Sequence, residues 1–361
     1  MGDVNAFDVF MLLGGLALLI AGANSLVRGA SSLAKAVGIS PLVVGLTIVA
    51  FGTSSPELAI ATSAALEGKG ELAIGNVVGS NIANVLLILG LASVIAPLAV
   101  TKRLIRLDVP FMIAMSLLMY VMAADGSFER WEGGLLFAIA IAYTTFLIRQ
   151  SRKQSAAKEK PETGQSRTWL DVVYIVAGLA VLILGSKLLV TGATNIAAAL
   201  HVSELIVGLT VVAIGTSAPE IATTIMAAVK GQREMAVGGV IGSNIYNILL
   251  VLGVSSTIAP QPIVVPPSAM NFDIPVMIAV AAACLPIFFS GFKVMRWEGG
   301  LFLAYYVAYV LYLVMATQHH DALPLFSNVF VWIALPLTAA TLTVLCVQSW
   351  AKYRKHGHPK H

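Results

Sequence analysis

The sequence predicts an all-α polytopic membrane protein. It reads as two five-helix repeats inverted relative to each other, ten core transmembrane helices, with an eleventh helix near the C-terminal end. Three observations carry this. Of the 361 residues, 58% are hydrophobic and only 11% are charged, against roughly 25% charged in a soluble domain. Many apolar runs reach about 20 residues, enough to cross a bilayer as a helix. The chain also matches itself when displaced by a constant interval.

The apolar runs place spans at 9–27, 40–66, 72–99, 107–124, 132–148, 171–190, 203–229, 235–259, 273–290, 298–316 and 328–348. The interruption at 149–168, RQSRKQSAAKEKPETGQSRT, is the only long polar stretch and reads as a solvated linker. The chain therefore divides into a first repeat (8–148), the linker, a second repeat (169–316), the extra helix (328–348) and a polar tail (349–361). The N-terminal MGDVNAFDVF lacks the basic region of a cleaved signal peptide. Cys284 and Cys346 both fall in apolar runs and imply no disulfide framework.

Basic residues set the expected orientation. With the N-terminus outside, the inner face carries Arg28 and Lys35, Lys102, Arg103 and Arg106, all six linker cations, Lys230 and Arg233, Lys293 and Arg296, and the four of the tail. That is nineteen against three outside (Lys69, Arg130 and Lys187). This points to a cell inner-membrane protein with linker and tail in the cytoplasm.

The repeat is dense. A shift of 163 carries Gly22, Leu26 and Gly29 onto Gly185, Leu189 and Gly192. It also carries GTSSPE (52–57) onto GTSAPE (215–220), and GNVVGSNIAN (75–84) onto GGVIGSNIYN (238–247). With a slightly larger shift, Asp108 and Pro110 meet Asp273 and Pro275, and RWEGG recurs at 130–134 and 296–300. Because five spans is an odd number, the second copy enters from the opposite side. Inverted repeats around a midplane site are a recurrent transporter architecture.

The polar motifs sit inside the apolar spans. Pro56 and Pro219 deprive the carbonyls of Gly52 and Gly215 of their helical donors, and a carbonyl freed in lipid needs protein, water or an ion. The hydroxyls of Thr53, Ser54, Thr216 and Ser217 add oxygens. Glu57 falls about 5 Å from the centre of its span, at 1.5 Å per residue. A carboxylate at that depth is expensive and marks function; Glu220 repeats it. Ser80 and Asn84 are four apart on one helix face, as are Ser243 and Asn247. For Asn81 and Asn244 a packing role stays open. The set is hard oxygen with no His or Cys near it, which suits Ca²⁺, Mg²⁺, Mn²⁺ or Na⁺. It offers neither an activated nucleophile nor a metal-bound water, so enzyme chemistry is not indicated. A channel gains nothing from two mirrored halves.

At these residues the chain resembles the cation/Ca²⁺ exchanger superfamily. GTSSPE with GNVVGSNIAN, and GTSAPE with GGVIGSNIYN, look like its two α-repeats, and residues 8–316 resemble a prokaryotic sodium/calcium exchanger. The resemblance implies Na⁺-driven Ca²⁺ antiport by alternating access, with no cofactor and no nucleic-acid partner, and spans 1 and 6 sliding as a gate. It implies Ca²⁺ ligands at Glu57 and Glu220 with the carbonyls of Thr53 and Thr216. Na⁺ ligands would add Ser54, Ser217, Ser80 and Ser243 and the carbonyls of Ala50 and Ala213. Asn84 and Asn247 complete the candidate set. Some relatives carry an acid where this chain has Asn247, so the centre here holds two fixed charges. That leaves room for H⁺ in place of Na⁺.

Among the other ionisable residues, Asp108 and Asp273 read as helix caps, and Glu132 and Glu298 as interfacial helix starts beside Trp. Lys187 reads as a snorkelling residue near the outer end of span 6, and His319, His320 and Asp321 as a solvated loop.

Overall fold

The gap between the expected and observed helix lengths is greatest for spans 1 and 6. α1 (Ala6–Val37) and α7 (Thr168–Ala199) each run 32 residues, about 48 Å at 1.5 Å per residue and well beyond ~30 Å of hydrocarbon. Polar residues such as Asn24, Arg28 and Lys187 cut the apolar runs short without ending the helices. α1 ends instead at Gly38, whose φ of 68° and N–H to Ala34 and Lys35 form a left-handed cap. Lys187 consequently lies well inside α7 rather than at its end, and it is exposed.

The computed structural model describes residues 5–156, 168–200, 213–289, 291–318 and 323–329, with single positions 332, 336, 340, 343 and 344. Linker residues 157–167, the start of the seventh span (203–212), most of the eleventh, the His319–Asp321 loop, Cys346 and the tail lie outside them. The second span is broken. α2 (Pro41–Thr53) and α3 (Ser55–Leu66) meet at a bend of 45°. Its counterpart is α8 (Ala213–Thr216) followed by α9 (Ala218–Val229). α4 (Gly70–Ile95) and α10 (Arg233–Ile258) follow, then α5 (Leu104–Asp125) and α11 (Ala269–Phe289). α6 (Arg130–Ala156) and α12 (Arg296–Thr317) close the repeats, and α13 (Leu323–Val329) trails. α6 continues about two turns into the expected linker, because RQSRKQS is compatible with helix once span 5 has nucleated it.

Two features escape a hydropathy reading. Short antiparallel ladders join the halves: β1 (Leu98–Ala99) pairs with β4 (Lys293–Val294), and β2 (Ser127–Phe128) with β3 (Ile263–Val264). π-helical turns occur in repeat-related pairs, at 84–89 and 247–252 and at 104–108 and 269–273. Such turns cluster at functional sites.

Glycines bring the helices together. A Cβ on Gly22 would lie 2.8 Å from the Gly178 carbonyl, one on Gly178 2.7 Å from Leu26 N, and one on Gly192 2.6 Å from the Asp8 carbonyl. Gly15, Gly22 and Gly29 thus interleave with Gly178, Gly185 and Gly192 along the full α1–α7 contact. α2 crosses α10 in the same way, where a Cβ on Gly242 would meet the Leu46 carbonyl at 2.7 Å. Small residues at such crossings allow close backbone packing in lipid. The core is therefore shared: α2 of one repeat packs on α10 of the other, and α9 on α4.

Two expected roles change. Asp108 makes no capping hydrogen bond from its side chain. It is fully buried and accepts from Tyr143 at 3.0 Å, with Arg103 Nε 3.6 Å away. Asp273 accepts from Tyr309 at 2.8 Å. Each Asp therefore clamps the fourth helix of its repeat to the fifth, because helix formation begins earlier than the apolar run and leaves the Asp inside. Glu132 and Glu298 are the capping residues. They accept from the Glu129 and Met295 N–H groups at 2.8 and 2.7 Å and are buried, while Trp131 and Trp297 face outward.

Candidate cation site

Breaking the second span at Ser54 sets the geometry. Ser54 leaves helical geometry at φ −77°, ψ 6°, and Ser217 does the same at φ −87°, ψ 8°. Neither serine caps the helix that follows, so each hydroxyl is left for the interior. Thr53, Ser54, Glu57, Ser217 and Glu220 are all buried. The Glu57 carboxyl faces the Ser217 hydroxyl of the other repeat, and Glu220 faces Thr53 and Ser54. The two carboxyls are close enough for direct Coulombic interaction. Each motif thus completes the half-site of its counterpart.

The walls come from α4 and α10. Asn84 and Asn247 are each the first residue of a π turn. Their amide groups point across the repeat boundary: Asn84 Nδ2 donates to Asn244 Oδ1 at 2.9 Å, and Asn247 Nδ2 to Asn81 Oδ1 at 3.1 Å. Asn81 and Asn244 are steadied in turn by the Met277 and Met112 sulfurs at 3.4 and 3.5 Å. With the amide nitrogens engaged, Asn84 and Asn247 keep their Oδ1 atoms uncommitted. Seven buried oxygens on the expected ligand residues have no hydrogen-bond partner: Ser54 Oγ, Ser217 Oγ, Ser243 Oγ, Glu57 Oε2, Glu220 Oε2, Asn84 Oδ1 and Asn247 Oδ1. Unpartnered buried oxygens are costly and call for an explanation; as hard-oxygen donors they are of the type that suits Ca²⁺ or Na⁺.

Other expected ligands differ. The Ala50 carbonyl keeps its helical partner, Ser54 N at 3.0 Å, and accepts the Thr53 hydroxyl at 3.4 Å. Ser80 is buried, Thr216 is half-buried, and Ala213 begins α8. Two neighbours were missing from the sequence reading. Asn76 donates to the Glu57 carbonyl at 3.0 Å and fixes the start of α3. Ser186 of α7 donates to the Gly215 carbonyl at 2.6 Å, satisfying the oxygen that Pro219 frees. Asn81 and Asn244, for which a packing role stayed open in the sequence, are joined directly, Asn244 Nδ2 donating to the Asn81 carbonyl at 3.3 Å. Neither Asn76 nor Ser186 could be singled out from the repeat, because their counterparts are Gly239 and Ala23.

The profile of the sodium/calcium exchanger protein family matches residues 7–149 and 170–315, the two repeats that carry these residues. The chain belongs to the sodium/calcium exchanger family. The exchanger is 39% identical over 286 residues to the putative antiporter CaxA of Alkalimonas amylolytica, covering 77% of this chain and 88% of that one. It is 33% identical over 348 residues to the sodium/calcium exchanger MaX1 of Methanosarcina acetivorans, covering 85% and 98%. It also aligns with a solved structure of the sodium-calcium exchanger NCX_Mj at a TM-score of 0.74 and 30% identity, over 85% of this chain and 99% of that one. As a member of this family the chain is a multi-pass membrane transporter of inorganic cations.

Proposed function

We propose that the protein is a Na⁺-driven Ca²⁺ antiporter. It would work by alternating access at a site formed by Glu57 and Glu220, with Thr53, Thr216, Ser54, Ser217, Ser80, Ser243, Asn84 and Asn247 and the carbonyls of Ala50 and Ala213 around them. The observation that carries this reading is the set of seven unpartnered buried oxygens contributed by both repeats. Two carboxylates balance one Ca²⁺ or a pair of monovalent cations. An empty site with both charges is too costly to carry across lipid, so exchange is favoured over uniport. The relatives' names, an antiporter and two sodium/calcium exchangers, support the same substrates. The basic-residue bias supports an outside N-terminus with linker and tail in the cytoplasm.

Proton coupling is the alternative, favoured by one feature: with amides at Asn84 and Asn247, protonation of Glu57 and Glu220 alone empties the site of charge. Flux in proteoliposomes separates the two. An outward Na⁺ gradient is expected to drive Ca²⁺ uptake, with K⁺ and pH gradients of equal size giving little. Uptake that follows the pH gradient and ignores Na⁺ would transfer the site to H⁺ coupling.

A further inference from the structure

The two ends of the site are not equivalent. α1 packs along α9, while α7 makes at most glancing contact with α3, the repeat counterpart of α9. Burial follows: Ala218, Pro219 and Thr223 are buried, whereas their counterparts Ser55, Pro56 and Ile60 are half-buried. At the α9 end a surface hydrogen bond ties α1 to the end of α9. Lys230, just past α9, donates from Nζ to the Asn24 carbonyl of α1 at 3.2 Å and also to the Asn24 side-chain oxygen.

The 163-residue shift carries Asn24 onto Lys187 and Glu67 onto Lys230. The mirror contact at the other end is therefore Lys187 of α7 with Glu67 at the end of α3. Here it is apart. Glu67 is held by Lys69 at 2.7 Å and Ser63 at 3.2 Å, both fully in solvent's reach, and Lys187 is an exposed cation far from a helix end. The Lys69 ammonium keeps the Glu67 carboxyl below its ordinary range, so it stays charged. An exposed, solvent-screened pair such as Lys69–Glu67 is weak and yields readily to a second cation. Reach is sufficient by comparison: Lys to Asn bridges α1 and the end of α9, and Lys to Glu has one methylene more. The chemistry also differs between ends, since Lys230 meets a neutral amide whereas Lys187 and Glu67, the residues at the mirrored positions, are of opposite charge.

We propose that Lys187 and Glu67 form the closing contact of the opposite conformation, alternating with Asn24 and Lys230 as α1 and α7 slide. The proposal rests on the alternating-access reading. In a protein with Cys284 and Cys346 replaced by Ala, the pair Glu67→Cys with Lys187→Cys is expected to cross-link during turnover and to stop Ca²⁺ flux until a reductant is added. Glu67→Lys is expected to slow flux about threefold, the scale of an exposed charge pair, with recovery on adding Lys187→Glu. Normal flux in the reduced pair with no cross-link forming would overturn the proposal and leave antiport standing. A parent protein that moves no Ca²⁺ under any ion gradient would overturn antiport, and with it this proposal.

Discussion

Glu57→Gln and Glu220→Gln are each expected to abolish Ca²⁺ transport while the protein still inserts and folds. The two carboxyls are buried at 1% and 4% exposure and face oxygens of the opposite repeat. Removing one charge from a desolvated ion pair typically costs about 3–5 kcal/mol, which at 1.4 kcal/mol per decade is a loss of more than about a hundredfold in affinity. Folding should tolerate the change, because Gln is isosteric and its neighbours already leave oxygens unpartnered. Initial rates in proteoliposomes, together with a thermal-melt comparison in detergent, check both halves of this expectation. Near-normal transport in both variants would remove the carboxyls from the site.

The second large effect is mechanical. Gly22→Val and Gly178→Val are expected to disrupt the α1–α7 pair, since even the first side-chain carbon would lie 2.7–2.8 Å from backbone of the facing helix. Backbone cannot rotate aside as a flexible side chain can, and overpacking of this kind costs about 1–3 kcal/mol. Both variants should melt earlier and lose at least about tenfold in flux, because the proposed alternating access moves the paired helices as one unit. Gly14→Val is the control: nothing lies within 4 Å of a Cβ there, and it should behave as wild type. Equal behaviour of Gly14→Val and Gly22→Val would show that the close glycine contacts do not matter.

Much of this architecture is legible in the sequence because lipid leaves few options. Backbone polar groups must be satisfied internally, so a polar motif that breaks an apolar span signals a site. The proline in GTSSPE and GTSAPE makes the broken helix readable, and the odd number of spans makes the inversion readable. What escaped has a common physical cause: it depends on where helices meet, not on which residues are apolar. α1 and α7 overrun their apolar stretches because charged side chains on an exposed face do not end a helix. Asp108 and Asp273 look like caps until the helix is seen to start before them, at which point Tyr143 and Tyr309 become their partners. The crossed pairs Asn84–Asn244 and Asn247–Asn81 join residues about 160 positions apart. They orient the oxygens of the site, and no local pattern announces them. The repeat itself hides asymmetry. Asn76 and Ser186 each serve one half only, and Asn24 facing Lys187 in the alignment becomes informative once Lys230 is seen on Asn24.

The central claim is that the two glutamates and the oxygens around them form one cage shared by competing cations. Equilibrium binding of ⁴⁵Ca²⁺ to the purified protein in detergent, with Na⁺ titrated against it, tests this most directly. Saturable Ca²⁺ binding that Na⁺ displaces, and that Glu57→Gln and Glu220→Gln each eliminate, is the predicted result. Ca²⁺ binding that survives in both variants and is indifferent to Na⁺ would contradict it.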